Sequence, residues 1–202
     1  MGKIYIIANG ARQSGKSTTS LNLALCFATL TQKTLLIDLD PGKWMEGLCS
    51  QSKKGRINLN SFLTFQNAGE IDQESLDLFD KIVIDCPAHK MGEIFKALSA
   101  LAEVLIPVEC EFYGLNELPD VLRLVDAVKI KTCGFLPVMY KPDSETSEAV
   151  LKELKLNFGD LVLPAIQRNY YLARQKDFKK VVLSELTQRA AVTYLSVANQ
   201  LL

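Results

Sequence analysis

The sequence predicts a single-domain α/β fold, a doubly wound and mostly parallel sheet. Three observations point there. Short apolar runs rich in Ile, Val and Leu alternate with longer stretches of helical spacing, the pattern of right-handed βαβ units. Two of the apolar runs end in aspartate with proline close behind, as strands do on leaving a sheet. The chain has 202 residues and is 48% hydrophobic, enough to fill one large core, so the domain is expected to span 1–202.

The elements follow in order. Residues 3–8 read as a buried first strand. Leu21, Ala24, Leu25 and Ala28 recur at helical spacing. Residues 34–38 form a second strand, closed by Asp40-Pro41-Gly42. Residues 43–80 are ambiguous, with short helices expected near 44–48 and 73–79. Residues 81–85 form a third strand, stopped by Pro87. Then come a helix over 91–101, a strand over 103–108 and a helix over 115–128 with Leu118, Val121, Leu122 and Val125 on one face. A strand over 134–140 leads to a helix over 144–157 that Ser144 is placed to cap. A short strand over 161–164 precedes a final helix over 185–202, with Leu186, Ala190, Tyr194, Ala198 and Leu201 on one face. No repeat, low-complexity segment or linker interrupts the chain. Its start at the first strand is expected to leave no room for an N-terminal DNA-reading domain.

Composition removes several function classes. Lys plus Arg (23) balances Asp plus Glu (23), which excludes a globally basic nucleic-acid binder but not a local basic patch. No apolar run approaches the ~20 residues of a membrane span, and the N-terminal apolar stretch is too short for a signal peptide. Cys26, Cys49, Cys86, Cys110 and Cys133 are odd in number and widely spaced, so reduced thiols in the cytoplasm are expected. His89 is the single histidine, which excludes a His-rich zinc site, and no Gly-x-Ser-x-Gly elbow accompanies it.

Gly10-Ala11-Arg12-Gln13-Ser14-Gly15-Lys16-Ser17 fits GxxxxGK[ST] between a strand and a helix. It reads as the phosphate loop of a P-loop NTPase; the alternative is a tight glycine turn between a strand and a helix. Backbone N–H groups at the helix start hold phosphate, Lys16 neutralises the β/γ oxygens, and the Ser17 hydroxyl ligates Mg²⁺. The nucleotide contacts are expected from Gly10 through Thr18, and without ligand Lys16 is expected to face solvent. Asp38, Asp40 and Asp85 lie at strand exits, where parallel sheets bind ligands. A carboxylate there holds Mg²⁺ through water or orients an attacking water, although each aspartate taken singly also reads as a strand-exit cap.

With these motifs in order, the chain resembles the ParA/MinD group of deviant-Walker ATPases, and more closely the ParA partition ATPases. Lys16-Ser17-Thr18-Thr19-Ser20-Leu21-Asn22-Leu23-Ala24 is similar to the family's GKTTTxxNLA. Leu35-Leu36-Ile37-Asp38-Leu39-Asp40-Pro41 resembles LLIDLDPQ, with Gly42 in place of the glutamine. Ile84-Asp85-Cys86-Pro87-Ala88 resembles IDCPP, Leu105-Ile106-Pro107-Val108 resembles the strand after it, and Ile166-Gln167-Arg168-Asn169 resembles the late IPRN. The resemblance implies ATP and Mg²⁺ as cofactors and an ATP-dependent homodimer that binds DNA non-specifically. It further implies an adaptor protein that stimulates slow hydrolysis, a positioned cargo, and a place in the cytoplasm on the nucleoid. By matched position, Asp40 and Lys16 are catalytic, and Ser17, Asp40 and Asp85 organise the metal. One departure stands out. The family's loop reads KGGxGKT, and its first lysine reaches the partner's ATP; here that position is Ala11, and the two following glycines are Arg12 and Gln13. Two readings of Arg12 stay open, a surrogate for the lysine and a solvent-facing bystander.

Arg168, Arg174, Lys176, Lys179 and Lys180 lie within thirteen residues, opposed by Asp177 alone and interleaved with Tyr170, Tyr171 and Phe178. Composition alone reads this as a solvated face; the resemblance makes Arg174, Lys176, Lys179 and Lys180 a DNA-facing set. Lys53, Lys54 and Arg56 read as an exposed loop, and Trp44 and Met45 as core. The last helix carries no basic residue after Arg189, so it is expected to dock on the core rather than on a membrane. Two other functions fit the same fold: a small-molecule ATP-dependent ligase of the dethiobiotin-synthetase kind, and a nucleotide-binding regulator that does not hydrolyse. Ala11 favours the second and Asp40 opposes it.

Overall fold

The computed structural model describes residues 2–39, 56–67, 76–169 and 189–202. Its centre is a seven-stranded sheet in the order β3-β4-β2-β5-β1-β6-β7. The strands are β1 (Lys3–Ile7), β2 (Thr34–Asp38), β3 (Arg56–Asn58), β4 (Leu63–Asn67), β5 (Lys81–Asp85), β6 (Ala102–Glu109) and β7 (Lys131–Val138). All neighbours run parallel except β3, which lies antiparallel to β4 at the edge. The described helices are α1 (Lys16–Thr29), α2 (Met91–Leu98), α3 (Leu118–Val128), α4 (Glu145–Phe158) and α5 (Arg189–Gln200).

Strand alternation divides the core between two faces. Tyr5, Ile7, Leu36, Phe65, Val83 and Leu105 point to one face, where α1 and α5 cover them. Ile4, Ile6, Leu35, Ile37, Ile82 and Ile84 point to the other, under α2, α3 and α4. Every position of β2 and β5 is buried, the signature of a strand covered on both sides. Each fully buried Phe or Ile in these layers contributes roughly 1.5–3 kcal/mol. Tyr5 and Phe27 stack with ring centroids 5.4 Å apart, fixing α1 over β1.

The strand order also locates the ligand edge. β1 has β5 on one side and β6 on the other, and the chain crosses over β1 between those two strands. The crevice above the carboxyl end of β1 is therefore a topological switch point.

Several predicted boundaries move. The ambiguous stretch 43–80 contains β3 and β4; Asn60 Oδ1 accepts from the Phe62 and Leu63 N–H groups, each at 2.8 Å, and turns one into the other. Arg56 thus opens a strand rather than lying in a loop, and its Nε donates to Gln66 Oε1 at 2.7 Å. The predicted strand over 161–164 reduces to an isolated bridge between Phe135 and Val162, since a 3₁₀ turn occupies Gly159–Leu161 and Pro164 has no N–H to give. The helix predicted from 115 begins at Leu118, with Pro119 in its first turn, after a 3₁₀ turn over Phe112–Leu115. The helix predicted to 101 ends at Leu98. Ser144 does cap α4, accepting from the Ser147 N–H at 3.3 Å. The helices expected near 44–48 and 73–79 fall wholly or largely outside the described residues, as do Trp44, Met45, Lys53, Lys54 and Leu186.

Candidate functional site

The phosphate loop grows directly from β1. Asn9 is fully buried; its Nδ2 donates to the Pro107 carbonyl at 2.7 Å and its Oδ1 accepts from the Ala11 N–H at 2.8 Å. This Asx turn fixes the point where the strand becomes loop. Gln13 and Gly15 take left-handed φ values of 60° and 80°. Ser14 donates to the Ala11 carbonyl at 3.1 Å. Lys16 bends back over the loop rather than facing solvent: its Nζ donates to the Ala11 carbonyl at 2.8 Å and lies 3.3 Å from Ser14 Oγ. A cation held across its own loop is already placed where phosphate oxygens would arrive. Above the first glycine, a Cβ on Gly10 would lie 2.9 Å from Glu117 Oε2, so that carboxylate overhangs the loop.

Strand register brings two predicted carboxylates level. Asp38 and Asp85 are paired positions of β2 and β5, and Asp85 is level with Ile7 of β1. Both are buried, at 3% and 1% exposure. Ser20 Oγ lies 3.2 Å from Asp85 Oδ1 and 3.0 Å from the Lys16 carbonyl, which ties the β5 exit to α1. Ser17 and Thr18 are half-buried in the first turn of α1, while Arg12 is exposed. Asp40 and the basic residues Arg174, Lys176, Lys179 and Lys180 lie outside the described residues.

A cavity of about 740 Å³ opens beside the loop. Its walls are Gly15 and Thr18 from the loop and α1, Val138 at the end of β7 with Met139 and Lys141 beyond it, the stretch Ile166, Gln167, Arg168 and Asn169, and Tyr194 of α5. Two backbone bonds close that wall, from the Tyr140 N–H to the Ile166 carbonyl (3.0 Å) and from the Arg168 N–H to the Tyr140 carbonyl (2.8 Å). Lys141 is held at the rim by Glu111 at 2.9 Å. The volume suits a small ligand, and the shared residues Gly15 and Thr18 make loop and cavity one continuous site.

Asn9, Met139, Lys141, Glu117 and the hydroxyl of Tyr194 carry no signal in the motifs above. An asparagine just before the glycine loop was an available signal for an Asx turn. Along the sequence Tyr194 is only part of an apolar face.

These features place the chain in a known class. Residues 5–182 match the CbiA family, the CobQ/CobB/MinD/ParA nucleotide binding domain, and the chain belongs to that family. It is similar to the sporulation initiation inhibitor protein Soj of Bacillus subtilis, at 29% identity with 99% of this chain and 98% of that protein covered. Its fold is similar to that of the MinD cell division protein of Aquifex aeolicus, with a TM-score of 0.79, 18% identity, and 99% and 97% of the two chains covered. It is also similar to that of cobyrinic acid a,c-diamide synthase from Mycobacterium smegmatis with bound ADP and magnesium, with a TM-score of 0.72, 20% identity, and 98% and 93% covered. Among the described residues, no helix is long and apolar enough to cross a membrane.

Proposed function

We infer that the chain is a single-domain, MgATP-driven switch of the ParA kind, which dimerises on ATP, binds DNA without sequence preference and positions a cargo. The observation that carries the nucleotide part is the continuity of loop and cavity: Gly15 and Thr18 belong to both. Triphosphate on the loop and base in the cavity is the division of labour that this continuity supports. Partition by this chain rests on its similarity to Soj and the ParA proteins.

The donor set suits a hard cation. Ser17 offers a half-buried hydroxyl and Asp85 a buried carboxylate beside the loop. Among the described residues no three His, Cys, Asp or Glu side chains gather, so phosphate and water oxygens would complete the shell, as they commonly do for Mg²⁺. Ser17, Asp85 and Asp40 would hold the ion, which when bound offsets charge on the phosphates. Lys16 would release the Ala11 carbonyl and bind the β/γ oxygens. Gly10 through Thr18 would supply N–H groups, and Asp40 would orient the attacking water.

The fold likeness to cobyrinic acid a,c-diamide synthase supports one rival, a small-molecule ATP-dependent ligase of the same fold. Co-sedimentation with random-sequence DNA, run without nucleotide, with ADP and with ATP, separates the two when phosphate release is followed in parallel. Binding only with ATP, lost on charge reversal of Lys176, Lys179 and Lys180 while ATP binding persists, is the expected outcome. Absence of DNA binding at low salt with ATP would favour the ligase.

A further inference from the structure

The last helix does more than cover the sheet. Tyr194 is 1% exposed and lines the cavity with Gly15 and Thr18. Its hydroxyl lies 3.1 Å from Thr19 Oγ1, and Thr19 is itself fully buried. Thr19 belongs to the first turn of α1; its N–H donates to the Gly15 carbonyl at 2.8 Å. That turn carries the N–H groups on which a phosphate would rest. A rotation of Thr19 therefore displaces the loop's own helix start.

A hydrogen bond positions a partner only if its other end is fixed, and α5 is fixed at its far end. The Leu201 carbonyl accepts from the Tyr5 hydroxyl and from Lys3 Nζ at 3.4 Å. Lys81 Nζ donates to the Leu202 carbonyl at 3.3 Å. Cations at a helix C-terminus also complement its dipole. Lys3 and Tyr5 belong to β1, which leads into the loop, and Lys81 to β5, which ends at Asp85. Buried Ala190, Val197 and Ala198 hold the intervening helix against the core. The helix is thus referenced to the two strands that carry the site, and its tyrosine returns that reference to the loop.

We propose that Tyr194 is a positioning residue for the nucleotide site, acting through Thr19 to hold the first turn of α1, so that the last helix is part of the binding machinery. The proposal rests on the nucleotide-binding reading given above. It assigns the hydroxyl a role distinct from the packing of the ring, which Tyr194→Phe retains.

The test is equilibrium binding of AMPPNP with Mg²⁺ to wild type, Tyr194→Phe, Thr19→Val, the double variant and Thr19→Ser. Thermal unfolding of each free protein and amide hydrogen exchange with and without the ligand accompany it. Tyr194→Phe and Thr19→Val should each weaken binding about fivefold, the effect of one buried hydrogen bond. The double variant should be no weaker than either single one, because both remove the same interaction. Thr19→Ser keeps the hydroxyl and should restore near-wild-type affinity. Ligand should slow exchange in α5 of wild type but not of Tyr194→Phe. Unchanged affinity in Tyr194→Phe, with or without a lower melting temperature, would reduce the hydroxyl to a packing role and overturn the proposal. Additive losses in the double variant would overturn the route through Thr19. A folded wild type that binds no AMPPNP would sink the nucleotide-binding reading itself, and this proposal with it.

Discussion

Gln13 holds a left-handed φ of 60° in a loop where the ParA pattern has glycine. A side chain with a Cβ disfavours that conformation by roughly 1–2 kcal/mol, whereas glycine enters it freely. The loop adopts this turn with a residue less suited to it than glycine. Gln13→Gly should therefore stabilise the free protein, by up to about 1 kcal/mol once the greater freedom of the unfolded glycine is subtracted. The urea midpoint reads this directly, and a lower midpoint would mean that the Gln13 side chain itself supports the loop. Lys16 makes the complementary point: its ammonium spans the same loop through the Ala11 carbonyl, so it has a structural task before any ligand arrives.

The N-termini of two 14-residue helices are built in opposite ways. α4 is closed by Ser144 and carries Glu145 and Glu148 in its first turn. α1 opens after Gly15, with no side-chain cap and no acidic residue in its first turn. The first arrangement uses the chain's own oxygens to satisfy the helix start; the second leaves it to an incoming anion. Ser144→Ala should cost about 1 kcal/mol of stability, with nucleotide affinity unchanged. Thermal unfolding and a binding titration measure the two, and a change in affinity would link α4 to the site unexpectedly. The same contrast explains what the sequence made legible. β1, β2 and β5 each hold at least three consecutive apolar residues, and the loop's glycine and lysine spacing is local, so both could be read along the chain. β3 and β4 mix polar with apolar residues, and their pairing depends on Asn60 turning the chain. The cavity was not legible because its walls come from 15–18, 138–141, 166–169 and 194, which tertiary structure alone gathers.

At the scale of the whole molecule, nucleotide binding and folding must be linked, because the loop, β5 and the last helix share one site. Ligand at a hundred times its Kd adds about 2.7 kcal/mol to a folded state that alone binds it. For a chain of this length that raises the melting temperature by roughly 5–10 °C. Lys16→Ala should abolish this ligand-induced rise. It should cost the free protein only about 0.5–1.5 kcal/mol for the lost loop bonds. A full ligand-induced shift in that variant would remove Lys16 from the phosphate site. Among the described residues, burial also holds down the reactivity of the thiols. Burial pushes the thiols of Cys26 and Cys110 up to about 12, and that of Cys133, whose Sγ faces the Val104 carbonyl, to the same value. Cys86 is fully buried. Alkylation requires thiolate, which such groups scarcely populate near neutral pH. With Cys49→Ser removing the fifth thiol, a chain carrying Arg12→Cys would present one addressable thiol at the exposed tip of the loop. A spin label there would turn the spacing between two loops, in any pair of copies, into a distance measured without disturbing the interior.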